Sequence, residues 1–92
     1  MGEPMSFIHA REYLQEGDAV IVNCDTQCNV IIMTDSEFAN YKSGRQFRHY
    51  GGFYKMFPAS ILVPHADHWN TVLDLAGGHA NIRYSITYAK SG

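Results

Sequence analysis

Along residues 81–88 the side chains alternate with a period of two, Ile82, Tyr84, Ile86 and Tyr88 standing against Asn81, Arg83, Ser85 and Thr87. Successive side chains of an extended chain point to opposite faces, so this pattern describes a strand with one face on a core and one in water. The same period returns in Val20, Val22 and Cys24, in Val30 and Ile32, in Trp69, Thr71, Leu73 and Leu75, and more briefly in Ile61 and Val63 before Pro64. Gly51-Gly52 separates residues 47–50 from residues 53–57, and a Gly-Gly pair tolerates the positive φ angles of a tight turn. A hairpin is the expectation there. A second hairpin is expected where Cys24 and Cys28 flank Asp25-Thr26-Gln27, which would set the two thiols across a strand pair.

The exception to extended structure is Asp35-Ser36-Glu37-Phe38-Ala39-Asn40-Tyr41-Lys42-Ser43-Gly44. Asp35 or Ser36 can cap its start and Gly44 its end, which predicts one short helical turn near residues 36–42. About seven short strands with frequent turn signals then predict an all-β fold, a compact antiparallel β-sandwich. Ninety-two residues suffice for one modest core. The expectation is a flexible tail over residues 1–4 and a single β-sandwich domain over residues 5–92.

Charge is unevenly distributed. Between Phe38 and Ala66 there is no Asp or Glu, while Lys42, Arg45, Arg48 and Lys55 sit among Tyr41, Phe47, Tyr50, Phe53, Tyr54 and Phe57. That tract is +4 in a chain of net charge -2, so the remaining residues total -6. An acidic balance overall argues against a nucleic-acid partner on electrostatic grounds. No apolar run approaches the roughly 18 residues of a membrane span. Two cysteines, no N-x-Ser/Thr site and no signal sequence point to a reducing, cytoplasmic setting.

In the hairpin reading Arg48 and Tyr50 share a face, with Arg45 on the approach and Tyr41 and Tyr54 beside them. A forked guanidinium next to aromatic planes suits an anionic small ligand, a glycan or a protein partner, because the fork fixes polar oxygens while the ring supplies contact area. Tyr41, Arg45, Arg48, Tyr50 and Tyr54 are therefore the candidate ligand-binding residues of a non-catalytic binding or sensing module. Against this stands the plainer account that the arginines pair with the acidic frame and the tyrosines roof the core.

Two other functions are open. His65, Asp67 and His68 crowd one loop, the residue types of a metal-dependent enzyme, although His68-Trp69 also reads as an imidazole covering an indole at a strand entrance. A short sandwich also leaves strand edges, guarded here by Lys55, Lys90 and the prolines, through which a homo-oligomer could form. No nucleophile elbow surrounds Ser36, Ser60 or Ser85, no cofactor motif is present, and Gly77-Gly78 reads as a turn because the next segment alternates as a strand. Asp74 and Arg83 would pair across the sheet if their strands were neighbours.

Gly17-Asp18-Ala19-Val20, Asn29-Val30, Asp35-Ser36-Glu37-Phe38-Ala39-Asn40-Tyr41, Gly44-Arg45, Arg48, Tyr50-Gly51-Gly52, Pro58, Pro64, His68-Trp69 and Asp74-Leu75 together resemble the domain-of-unknown-function family 1883. The likeness covers nearly the whole chain and is most specific from Asp35 to Gly52. It departs at Cys24 to Cys28, where small polar residues are usual in the family, which argues against a cysteine-based function. The resemblance implies a compact all-β bacterial domain without assigned activity, sometimes preceding a Toll/interleukin-receptor-like domain, a pairing that suits sensing or recruitment. It brings no catalytic residues.

Overall fold

The computed structural model describes residues 7–75 and 82–91. The expected tail at residues 1–4 and the turn at Gly77-Gly78 lie outside them. Among the described residues seven strands and one helix follow in the order β1 Phe7–Leu14, β2 Ala19–Cys24, β3 Cys28–Thr34, α1 Asp35–Lys42, β4 Tyr50–Tyr54, β5 Ala59–Leu62, β6 Asp67–Asp74 and β7 Tyr84–Ala89. They form a four-stranded sheet in the order β1-β6-β3-β4 and a three-stranded sheet in the order β5-β2-β7. Every pairing is antiparallel. The all-β sandwich is thus the architecture, with one helix on its outside.

The core between the sheets is built from the inward rows that the alternation marked. Val20 and Val22 from β2, Val30 and Ile32 from β3, and Trp69 and Leu73 from β6 meet Leu14, Ala59, Ile61 and Val63. On β7 Ile86 and Tyr88 pack on this core, but the strand is an edge, so they are only half-buried and Tyr84 is exposed.

A second apolar cluster lies on the far side of the four-stranded sheet, where α1 lays Phe38 and Tyr41 over Ile31, Met33 and Val72, with Phe7 and Phe47 alongside. Both faces of β3 and β6 are therefore covered. That is why Val30-Ile31-Ile32-Met33 and residues 69–73 are buried throughout instead of alternating. The first strand has no counterpart among the sequence expectations for the same reason. Its outward row of Phe7, His9, Arg11 and Tyr13 includes residues that reach α1, while its inward row contains Ala10 and Glu12, so no apolar/polar alternation survives.

Two expected hairpins are corrected. Gly51-Gly52 is not a turn but the interior of β4, with Gly51 opposite Ile31 and Gly52 opposite Val30. The glycines permit close approach of backbones here, for Gly51 has φ +103° and no room for a side chain. Residues 25–27 likewise join no hairpin, because β2 and β3 belong to different sheets and the segment crosses between them. Cys24 and Cys28 are free thiols, half-buried and buried, and burial next to Cys24 pushes the Cys28 thiol up to about 12. Asp74 and Arg83 cannot pair across a sheet either, since β6 and β7 lie in opposite layers.

The helix ends as expected. Gly44 has φ +76°, its N–H bonds to the Tyr41 carbonyl, and the Arg45 N–H reaches back to the Asn40 carbonyl, the two bonds of a Schellman cap. At the start the cap is Thr34, one residue before the expected pair, and no side chain closes it.

Asp18 ties three elements together at one end of the sandwich. Its buried carboxylate accepts the N–H groups of Gln15 and Ser91, both at 2.8 Å, and its carbonyl accepts the N–H of Val63. Those two backbone donors hold the carboxyl below the usual carboxylate range. A depressed folded pKa contributes stability that is complete above the unfolded value, about 3.9, and is lost as pH falls through the folded value. Asp18→Asn should accordingly flatten the fall of Tm with acidification below about pH 4 and lower Tm by roughly 5 °C at neutral pH. Thermal melts of both proteins between pH 2 and 7 check this; parallel curves would remove Asp18 from the account of acid unfolding.

Candidate functional site

The candidate site is made by the return of the chain after α1. Gly44 reverses direction, and residues 45–49 run back beside the helix before β4 begins. Phe47 packs against Tyr41 with ring centroids 5.0 Å apart, and the Arg48 N–H donates to the Glu37 carboxylate at 2.7 Å. Helix and returning segment are thus clamped at two points. Between them lies a cleft of about 370 Å³ walled by Glu37, Asn40, Gln46, Phe47 and Arg48. A second cleft, of about 190 Å³, is walled by Glu37 and Arg48 together with Met33, Thr34, Tyr50, His65 and Trp69.

Only two of the five expected ligand-binding residues meet here. Arg48 borders both clefts and Tyr50 the smaller one. Among the described residues the Arg48 guanidinium has no ion-pair or hydrogen-bond partner; the ion pairs are Arg11–Asp35 at 2.7 Å and Lys90–Glu12 at 3.9 Å. Tyr50 is 47 % exposed, and its ring meets the buried Trp69 in a T-shaped contact, centroids 5.9 Å apart. The acidic partner that the plainer account expects for Arg48 is not found among the described residues.

The other three are placed elsewhere. Tyr41 is in the second apolar cluster, its hydroxyl donating to Asp74 at 3.2 Å, and burial pushes its pKa up to about 12. It roofs the sheet, as the plainer reading of the tyrosines has it. Tyr54 turns inward against the main core and lies near Phe57. Arg45 is exposed beyond the helix cap and borders neither cleft. The +4 tract is continuous in sequence but not in space, because α1 and β4 send its members to different layers.

Glu37, Asn40, Gln46, Phe47 and Thr34 line the clefts and were not among the expected site residues. Thr34 and Glu37 did carry a signal, since Thr-x-x-Glu is a capping-box pattern. The box is not closed: the Glu37 carboxylate is diverted to Arg48 across the cleft.

The His65, Asp67 and His68 trio diverges. The His65 ring leans on Trp69 with centroids 5.0 Å apart, while its carbonyl accepts the indole N–H at 3.0 Å. His68 instead meets Tyr13 on the opposite face of the sheet, and Asp67 accepts the N–H of His68 at 2.8 Å. The imidazole against the indole is that of His65, four residues before Trp69, where the sequence suggested His68. Among the described residues no three His, Cys, Asp or Glu side chains gather as a metal site.

A separate polar network anchors the start of α1. Arg11 grips Asp35 through two nitrogens at 3.0 and 2.7 Å, Asp35 accepts the amide of buried Asn70 at 2.8 Å, and the Asn70 oxygen meets His9 at 2.8 Å. The guanidinium and the amide hold the Asp35 carboxyl well below the usual carboxylate range. His9 stacks on Phe38 at 4.2 Å, so the network and the second apolar cluster fasten the same helix. This fixes the wall that presents Glu37 and Asn40.

Among the described residues no helix is long and apolar enough to cross a membrane. A family model described as Domain of unknown function (DUF1883) matches residues 5–91. No curated protein and no solved structure matches the chain.

Proposed function

We propose that this chain, which belongs to the DUF1883 family, is a non-catalytic binding or sensing module whose ligand seats between α1 and the segment leading into β4. One observation carries the reading: an Arg48 guanidinium without a partner among the described residues stands where two clefts meet, beside an exposed Tyr50. The larger cleft falls near the low end of the roughly 300 to 1,000 Å³ typical of small-molecule sites. One wall is the helix, fastened by Asp35 at its start and by Phe47 against Tyr41 at its end, and the other is the segment that Phe47 and the Arg48 N–H hold to it. A reducing, cytoplasmic setting is part of the same proposal, on the low cysteine usage of the sequence.

Titration of wild type and Arg48→Ala against anionic metabolites, glycans and short single strands tests the reading. Arg48→Ala should weaken binding by about tenfold or more while leaving the melting temperature within a few degrees of wild type, because an exposed side chain without partners contributes little to folding. Equal binding by both proteins would remove Arg48 from the site.

A further inference from the structure

The composition of the groove walls narrows the ligand, and the step rests on the binding reading above. We infer that the groove takes a neutral, polyhydroxylated ligand, a glycan, with two sugar units seated on either side of Glu37 and Arg48.

The argument begins from charge. The tract is strongly basic in sequence, but its other cations are absent from the groove walls: Arg45 and Lys55 border neither cleft, and the Lys42 ammonium lies over the Phe38 ring at 4.6 Å. What remains is one guanidinium and one carboxylate, joined in the smaller cleft by the His65 imidazole, whose ring leans on Trp69. Glu37 borders both clefts, so an anion placed on Arg48 in either of them also meets a negative wall. Glu37 and Arg48 are joined through a backbone N–H and not through an ion pair, which leaves the fork of donors on Arg48 open.

The hydrogen-bonding inventory fits hydroxyl groups. Each sugar hydroxyl both donates and accepts, and the larger cleft offers an acceptor in Glu37, donors in Arg48, and amides of both kinds in Asn40 and Gln46. Thr34 adds a hydroxyl to the smaller one. Next to it stands the Tyr50 ring, exposed and in T-shaped contact with Trp69, an aromatic surface on which the C–H face of a pyranose can lie. Phe47 supplies an aromatic wall to the larger cleft. Each subsite thus combines an aromatic surface with planar polar groups, while a phosphate or carboxylate would take the donors of Arg48, Asn40, Gln46 and Thr34 but leave the Glu37 acceptor facing it as a like charge.

The experiment is an amide-shift titration of the full chain with neutral di- to tetrasaccharides of glucose, galactose, mannose and N-acetylglucosamine. Sialylated and sulfated oligosaccharides and inorganic phosphate form the second arm, and the proteins are wild type, Tyr50→Ala, Glu37→Gln and Arg48→Ala. The expected result is saturable shifts at Glu37, Gln46, Arg48 and Tyr50 with a neutral oligosaccharide, weakened about tenfold or more by Tyr50→Ala and by Arg48→Ala. Glu37→Gln should weaken neutral binding severalfold. Binding confined to the charged probes, and tightened by Glu37→Gln, would overturn the glycan inference while leaving a binding module at this site. Absence of groove shifts with every probe in both arms would overturn the two together. Unchanged dispersion of the remaining amide signals in each variant shows that the fold is intact.

Discussion

Gly51→Ala is expected to cost about 3 to 5 kcal/mol, a large part of the roughly 5 to 10 kcal/mol by which a domain of this size is stable. A Cβ at this position would lie 2.2 Å from the Val30 carbonyl oxygen, 2.9 Å from Ile61 Cδ1 and 3.2 Å from Ile31 Cα. The isoleucine methyl can swing away. The other two atoms are backbone of β3, the strand paired with β4, and moving them means opening the ladder that spans Cys28–Tyr54 to Ile32–Tyr50. The backbone adds its own resistance, since φ +103° is a conformation that side chains with a Cβ rarely adopt. Gly52→Ala is the internal control, because nothing lies within 4 Å of a Cβ built there. Urea unfolding of both variants gives the comparison. A Gly51→Ala protein within about 1 kcal/mol of wild type would mean that β4 does not approach β3 in this register. Since Tyr50 precedes Gly51, any variant that survives should also show a displaced Tyr50 and weakened ligand binding.

The second large effect is expected at Trp69. Its side chain is 1 % exposed, the largest fully buried one in the molecule's described part, and it sits on central strand β6 among Leu14, Ile32 and Leu73. Trp69→Ala should destabilise by about 3 to 5 kcal/mol, the sum of lost burial and the cavity left behind. A smaller part of that is polar. The indole N–H donates to the His65 carbonyl at 3.0 Å, and Trp69→Phe, which keeps most of the volume but loses this bond, should cost only about 1 to 2 kcal/mol. Circular dichroism is the appropriate signal, because Trp69 is the single tryptophan of the chain. Comparable stability of Trp69→Ala and wild type would contradict the inter-sheet core. The substitution also removes the support of Tyr50 and His65, so it should reduce binding even where the fold persists.

These two positions differ in how far the sequence announced them. Trp69 stood in an alternating row with Thr71 and Leu73, and the row points inward as the period requires. Gly51 carried an ambiguous signal, since a glycine pair serves a tight turn and a close backbone approach equally well. Which use applies depends on Val30 and Ile61, residues 21 and 10 positions away, and no local pattern contains that information. The same holds for Cys24 and Cys28: the short spacing suited a hairpin, but their strands bond to different neighbours.

The candidate site was legible to a similar degree. Arg48 and Tyr50 were marked by their place in an acid-free aromatic tract, and both reach one cleft. Tyr41 and Tyr54 looked the same in sequence, yet one is drawn into the cluster beneath α1 and the other into the core. Glu37 lies one residue before the tract begins, so the run of positive charge concealed the carboxylate that stands opposite Arg48.

Most strands and the helix could be read from residues alone, β1 and the glycine-bearing β4 excepted, because the direction of each side chain follows from the backbone of its own segment: period two marked the sandwich, and Gly44 ended the helix. Neighbourhood could not. The pairing of β1 with β6, the roof that α1 makes over Ile31 and Val72, and the meeting of Glu37, Arg48 and Tyr50 all join residues far apart along the chain. Such contacts are chosen by the burial of whole faces against one another, an energy that exists only once the layers have assembled.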